Sequence, residues 1–173
     1  MATGRVGENA IASWLRSGGW NVLPAYEIET PTGKGPRLFT ATLGELVTPD
    51  MLVFKGRCIR WVEAKTKSSF TWYRTRECWQ DGVDKRHWMD YCKVAELTGW
   101  QTWLLFLHGP GSVAKDTPEG MIPPVGLWGN ELRKLRSSID HESDRHASGM
   151  VYWSIDTLVQ VAPWPLARKM VAA

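Results

Sequence analysis

PDMLVFKGRCIRWVEAK, residues 49–65, reads as one β-hairpin. The runs Asp50–Phe54 and Cys58–Glu63 are rich in β-branched, aromatic and large apolar residues, which suit a pleated, half-buried surface, and they flank Lys55, Gly56 and Arg57. With Gly56-Arg57 as a two-residue turn, glycine taking the position that needs positive φ, residue 55 pairs with 58 and Asp50 falls directly opposite Glu63. Moving the loop to Lys55-Gly56 shifts the register by two and leaves both acids on the same face. Lys65, two residues beyond Glu63, shares that face about 6.5–7 Å along the strand.

Directly opposed side chains stand about 4.5–5.5 Å apart at Cβ, where two carboxylates repel. A divalent cation offsets that repulsion. Two carboxylates and a backbone carbonyl supply part of the octahedral oxygen shell that Mg²⁺ takes at about 2.0–2.1 Å. The spacing therefore points to a Mg²⁺ site, with Lys65 in reach of an attacking water or of the phosphate that it attacks.

A chain of 173 residues, 43% apolar and with 11 tryptophans, is expected to form one domain with a sizeable core. A net charge of +3 and a pI near 8.8 permit a polyanionic partner without requiring one, so the local arrangement of charge decides. Cys58, Cys78 and Cys92 are an odd, unclustered set with no C-x-x-C, which predicts reduced thiols in a cytoplasmic protein. No apolar run approaches the roughly 18 residues of a membrane span and the N-terminus lacks a signal peptide's apolar segment, so no membrane partner is expected.

Upstream of the hairpin, residues 3–17 carry Ile11, Ala12, Trp14 and Leu15 on one helical face, with Thr3 as cap and Gly18-Gly19 as stop. Glu8 projects from the same side, either as a charge partner near the helix N-terminus or as a third acid beside the metal. Residues 20–28 read as a strand, 30–36 as a loop, 37–42 as a short strand, and 66–82 as irregular, basic and aromatic. Residues 84–98 place Trp88, Tyr91, Cys92 and Ala95 at helical spacing and end at Gly99, while Trp100–Leu107 is a continuous apolar strand of the kind buried on both faces. A strand reached through a helical crossover normally runs parallel to its neighbour, so a mixed sheet flanked by helices is expected. Residues 108–173 read as an elaboration of the same domain: a surface loop over 108–126, a short basic helix over 130–138 and an edge strand over 150–155.

Gly7-Glu8 on the first helix, Pro49-Asp50, then Glu63-Ala64-Lys65, then a helix and an apolar strand make an arrangement that resembles the PD-(D/E)XK nuclease superfamily, the restriction-endonuclease-like fold, over about residues 4–107. It is most similar to the Holliday junction resolvase and phage recombination nuclease branch, where a Gly-Glu pair on the first helix is usual. The resemblance implies an α/β fold with an αβββαβ core. It also implies Mg²⁺, or Mn²⁺ in its place, held by Asp50, Glu63 and the carbonyl of Ala64, with Lys65 positioning or deprotonating the attacking water and Glu8 assisting at the metal. His87 and Tyr91, four apart on one face of the next helix, are similar to the Gln-x-x-x-Tyr motif of the RecB-like exonuclease branch, with His in place of Gln. The activity implied is metal-dependent hydrolysis of DNA phosphodiesters in recombination, repair or phage DNA processing. DNA, branched in the case of a resolvase, and a second copy of the chain are the implied partners.

The segment after Lys65 has the composition of a nucleic-acid contact surface. Lys67, Arg74 and Arg76 can neutralise phosphates, while Phe70, Trp72 and Tyr73 offer faces to unpaired bases; the other reading is a loop whose aromatics complete the core. Lys67, on the face of Lys65, is a candidate phosphate contact, and Lys85 extends the basic surface toward His87 and Tyr91. Two other readings stay open: a nuclease-fold module that binds nucleic acid without cutting it, and a restriction-type enzyme with base-specific readout, although no element declares itself a major-groove reader. Intact Asp50, Glu63 and Lys65 favour an enzyme, because a retired site has no need to keep repelling acids.

Overall fold

The structure, a computed structural model, describes residues 2–30, 33–111, 113–144 and 148–166. Its centre is the hairpin. Strands β5 (Met51–Lys55) and β6 (Cys58–Lys67) pair antiparallel with Lys55 opposite Cys58 and Met51 opposite Val62. Gly56 adopts φ 58° and Arg57 stays at negative φ, the pattern of a II′ turn whose twist matches the flanking strands. The next step in that register sets Asp50 against Glu63.

Around the hairpin lies a six-stranded mixed sheet. β1 (Asn21–Pro24) is antiparallel to β5, and β9 (Gln101–His108), reached through helix α2 (Lys85–Thr98), is parallel to β6. β10 (Gly126–Glu131) and β13 (Val159–Ala162) continue antiparallel on the far side of β9. Alternation along the strands divides the core in two. Val62, Ala64, Leu105 and Leu107 pack with Ile11 and Leu15 of helix α1 (Ala2–Ser17). Leu104 and Phe106 point the other way, into a cluster with Trp88 and Tyr91 of α2. β9 is thus buried on both faces, as its unbroken apolar run predicts. Glu63, Lys65 and Lys67 take the alternate positions of β6, on the α2 side.

Several elements depart from the sequence reading. α1 already includes Ala2, so Thr3 lies within the helix and does not cap it. Residues 20–28 are not one strand. The chain breaks at Ala25-Tyr26, after Pro24, which cannot donate to a ladder. β2 (Glu27–Thr30) then pairs with β3 (Gly33–Thr40), which pairs with β4 (Gly44–Val47), so residues 33–36 belong to a three-stranded arm and not to a loop.

Residues 66–82 are largely ordered strand. β6 runs on to Lys67, and β7 (Thr71–Tyr73) forms a hairpin with β8 (Cys78–Asp84). A second sheet of order β11-β12-β8-β7 is completed by β11 (His141–Ser143) and β12 (Met150–Ser154), so the expected edge strand at 150–155 is an interior one. The turn between β7 and β8 carries no glycine or proline and uses Glu77 at φ 49°, a conformation that side chains other than Gly, Asn and Asp seldom adopt, which is why no turn signal showed. Residues beyond 107 are interwoven with the rest, since β10 and β13 widen the central sheet and β11 and β12 build the second one. The short basic helix is present as α3 (Leu132–Ser137). No helix among the described residues is long and apolar enough to cross a membrane.

α1 lies so close to β6 that a Cβ on Gly7 would stand 1.4 Å from Thr66 Oγ1. Gly7→Val is therefore expected to lever the helix off the strand at a cost of about 1–3 kcal/mol, a fall in Tm of roughly 2–12 °C for a chain of this size. Thermal melting checks this, and an unchanged Tm would contradict the close approach.

Candidate active site

The Pro49-Asp50 corner is fixed from several sides. The Val47 amide donates to Asp90 Oδ2 of α2 at 3.1 Å, the Thr48 amide to the Pro36 carbonyl at 3.1 Å, and the Ala25 amide to the Asp50 carbonyl at 2.8 Å. Asp50 and Glu63 then each accept a backbone amide from across the hairpin. The Ala64 amide donates to Asp50 Oδ2 at 2.9 Å, and the Asp50 amide donates to Glu63 Oε2 at 3.2 Å. The two carboxylates lie side by side at the end of the hairpin, as the turn register predicts. Burial first, then the Glu63 carboxylate, pushes the Asp50 pKa up to about 8.

Glu63 is 0% exposed, and its second oxygen is paired with the ammonium of Lys65. Burial alone would lower the Lys65 pKa, but the carboxylates of Glu63 and Asp50 outweigh it and hold it above its ordinary value. Lys65 therefore remains a cation at neutral pH. α2 supplies the wall of the site. Its N-cap, Asp84, accepts from the amides of Arg86 and His87 at 2.9 and 3.4 Å, which fixes where the helix begins and sets His87 and Tyr91 one turn apart over β6. Tyr91 is 2% exposed and its hydroxyl faces Glu63; burial and that carboxylate raise it well above the usual tyrosine range. Burial, then Lys65, hold the half-buried His87 below its ordinary value, so its imidazole is uncharged at pH 7.

Glu8 approaches from α1. Burial and the carboxylates of Glu27 and Glu63 raise its pKa, with Lys65 and Arg5 opposing. It borders a groove of about 460 Å³ between α1 and the arm, which also includes Arg5, Tyr26, Glu27 and Asp50. Among the described residues no set of three or more His, Cys, Asp or Glu side chains is gathered to hold a metal, so Glu8 does not close a three-carboxylate cage with Asp50 and Glu63. A cation here would rest on two carboxylates, the Ala64 carbonyl and water, which suits Mg²⁺, an ion that usually keeps several waters. Sequence reading missed Arg5 and Tyr26. Tyr26 is 85% exposed in the break between β1 and β2, and the Pro24 that makes the break was the available signal.

The expected nucleic-acid contacts divide. Tyr91 is too deeply buried to touch DNA with its ring. Trp72 packs against the α2-side core and meets Trp79 edge-on at 5.0 Å, while Phe70 is wholly buried and stacks on His108 at 4.0 Å, so those rings complete the core. Lys67 Nζ pairs with Asp81 Oδ1 at 2.7 Å, and His108 Nε2 lies 2.8 Å from the other Asp81 oxygen. Asp81 is buried, which would raise its pKa, but Lys67 and His108 hold it below the usual carboxylate value. Lys67 is thus anchored beside the site and is not a free phosphate contact. Arg74 pairs with Asp116 at 2.8 Å, Arg76 with Asp140, and Lys85 with Glu142.

The fold has a solved counterpart. The structure is similar to that of Hjc from Archaeoglobus fulgidus, a Holliday junction resolvase from an archaeal hyperthermophile, with a TM-score of 0.52 and 9% sequence identity over 89% of this chain and 90% of that one. The chain therefore shares the mixed α/β fold of that structure. No protein-family model matches the sequence, and no curated protein matches it.

Proposed function

We propose that the chain is a divalent-metal-dependent deoxyribonuclease directed to branched DNA. The observation that carries this reading is the meeting of Asp50 and Glu63 beside Lys65, an arrangement that leaves a carboxyl with a pKa of about 8 in a site open to a groove. A carboxyl destabilised by burial and a like charge at a cleft is a mark of function more than of packing. The branched-DNA preference draws on the likeness to the archaeal resolvase.

Asp50, Glu63 and the Ala64 carbonyl would hold Mg²⁺ or Mn²⁺, which when bound polarises a phosphoryl oxygen and lowers the pKa of water. The chain's own groups do the rest. Lys65, kept protonated by the two acids, is a point charge for the phosphate and a donor that orients the attacking water. The Tyr91 hydroxyl steadies Glu63 from behind. His87, uncharged at pH 7, is a hydrogen-bonding group at the rim and not a cation for phosphate. Glu8 and the Arg5–Glu27 pair, 3.2 Å apart, line the groove along which a strand would lie.

The test is cleavage of a four-way junction, a blunt duplex and a single strand with Mg²⁺ or Mn²⁺, for wild type, Asp50→Ala and Glu63→Ala. Metal-dependent cutting, fastest on the junction and lost by about 10³-fold or more in both variants, is expected. Binding without cutting by wild type would replace this reading with that of a nuclease-fold binding module.

A further inference from the structure

The outward face of the second sheet carries an unassigned constellation. Tyr73 on β7 and His141 on β11 come from opposite edges, yet their rings lie 4.3 Å apart at an interplanar angle of 18°. His141 stacks in turn on Tyr152 at 4.9 Å and 14°. The sheet curls to bring its edges together, and the groove so formed, of about 610 Å³, also contains Thr71 and Gln80. Gln80 is 8% exposed, and its amide oxygen is buried without a hydrogen-bond partner among the described residues. An unmatched buried acceptor is destabilising, and native structures seldom keep one without a use.

Charge narrows the choice of ligand. Among the described residues, the cations around the groove are matched by acids: Arg74 by Asp116, Arg76 by Asp140 and Lys85 by Glu142. A matched rim gives a phosphate backbone little to hold. What remains is a run of parallel rings and an amide edge that accepts a hydrogen bond, which suits a flat, neutral ring bearing an N–H donor. A nucleobase has both features, and bases stack on aromatic side chains with little regard to sequence. β8 joins this groove to the candidate active site. Lys67 reaches Asp81 and the Gly82 carbonyl from one side, and the ring of Tyr152 lies across Gly82, where an added Cβ would come within 2.7 Å of Tyr152 Cδ1.

We propose that the groove between Tyr73, His141 and Gln80 receives an unpaired base of the DNA, stacked on the aromatic rings and held at its edge by the Gln80 amide. The choice of DNA as the source of that base rests on the nuclease reading above; the groove itself does not involve Asp50 or Glu63.

The test is fluorescence anisotropy without metal, using a duplex with a single-stranded extension and a blunt duplex of equal length, on wild type, Tyr73→Ala, Tyr73→Phe and Gln80→Leu, each checked by thermal melting. Tyr73→Ala and Gln80→Leu are expected to weaken binding of the tailed duplex by about tenfold or more, with blunt-duplex binding unchanged and Tyr73→Phe close to wild type. The loss should persist between low and moderate salt, because the contact is not ionic. Equal losses on both probes, no loss in either variant, or a wild type indifferent to the tail would overturn the proposal. Cleavage of the junction is measured on the same preparations. Cutting by Tyr73→Ala with wild-type binding removes the groove alone; a wild type that never cuts yet loses tail binding through Tyr73→Ala removes the nuclease reading alone.

Discussion

Asp50→Asn is expected to abolish cleavage and at the same time to stabilise the metal-free protein at alkaline pH. The Asp50 carboxyl has a pKa of about 8 in the fold against an ordinary value of 3.8, because burial and Glu63 oppose its charge. Between those two values the folded chain holds a proton that the unfolded chain has released. Stability from this group is therefore full below about pH 4 and is lost as the pH rises through about 8. At pH 9 wild type carries the repelling pair and the asparagine variant does not, so the variant should melt higher; at about pH 3, below the ordinary carboxylate value, the two should agree. Each 1 kcal/mol is worth roughly 2–4 °C at this chain length, which makes the difference measurable. Added Mg²⁺ should raise the Tm of wild type at pH 9 and leave the variant unmoved. A variant that melts below wild type at pH 9 would show that the acids are not in conflict.

Trp153→Ala is expected to remove about 3–5 kcal/mol of stability, the range for truncating a buried aromatic. Trp153 is wholly buried in β12, donates from its indole Nε1 to the Leu135 carbonyl of α3 at 2.8 Å, and meets Trp88 of α2 at 5.0 Å. Its loss leaves a cavity and an unpaired carbonyl together. Because Trp88 is on the helix that presents His87 and Tyr91, the same variant should lose activity ahead of global unfolding. Chemical denaturation gives the first quantity and junction cleavage at 25 °C the second; a loss below about 1 kcal/mol would contradict the packing described.

The acid pair was legible because Gly56 fixes the turn and the turn fixes the register, so Asp50 and Glu63 meet by counting alone. α2 was legible for a similar reason, with Asp84 and Gly99 marking its ends and Trp88 and Tyr91 its inner face. What escaped notice depends on partners remote in sequence. Nothing near Lys67 announces that Asp81 and His108 will draw it into a buried ion pair. Nothing near His141 announces Tyr73. The β7–β8 hairpin was hidden because Glu77 occupies a backbone conformation that propensity assigns to glycine or asparagine. The aromatic and basic stretch after Lys65 had two readings open, and the structure divides them: Phe70, Trp72 and Trp79 complete the core, while Tyr73 faces a groove.

Anomalous scattering from crystals grown with Mn²⁺ tests the central claim most directly. A peak at coordination distance, about 2.1 Å, from both the Asp50 and Glu63 carboxylates and from the Ala64 carbonyl is expected, with Lys65 drawn off Glu63. Density showing Lys65 still paired with Glu63 and no ion between the two acids at saturating Mn²⁺ would contradict it.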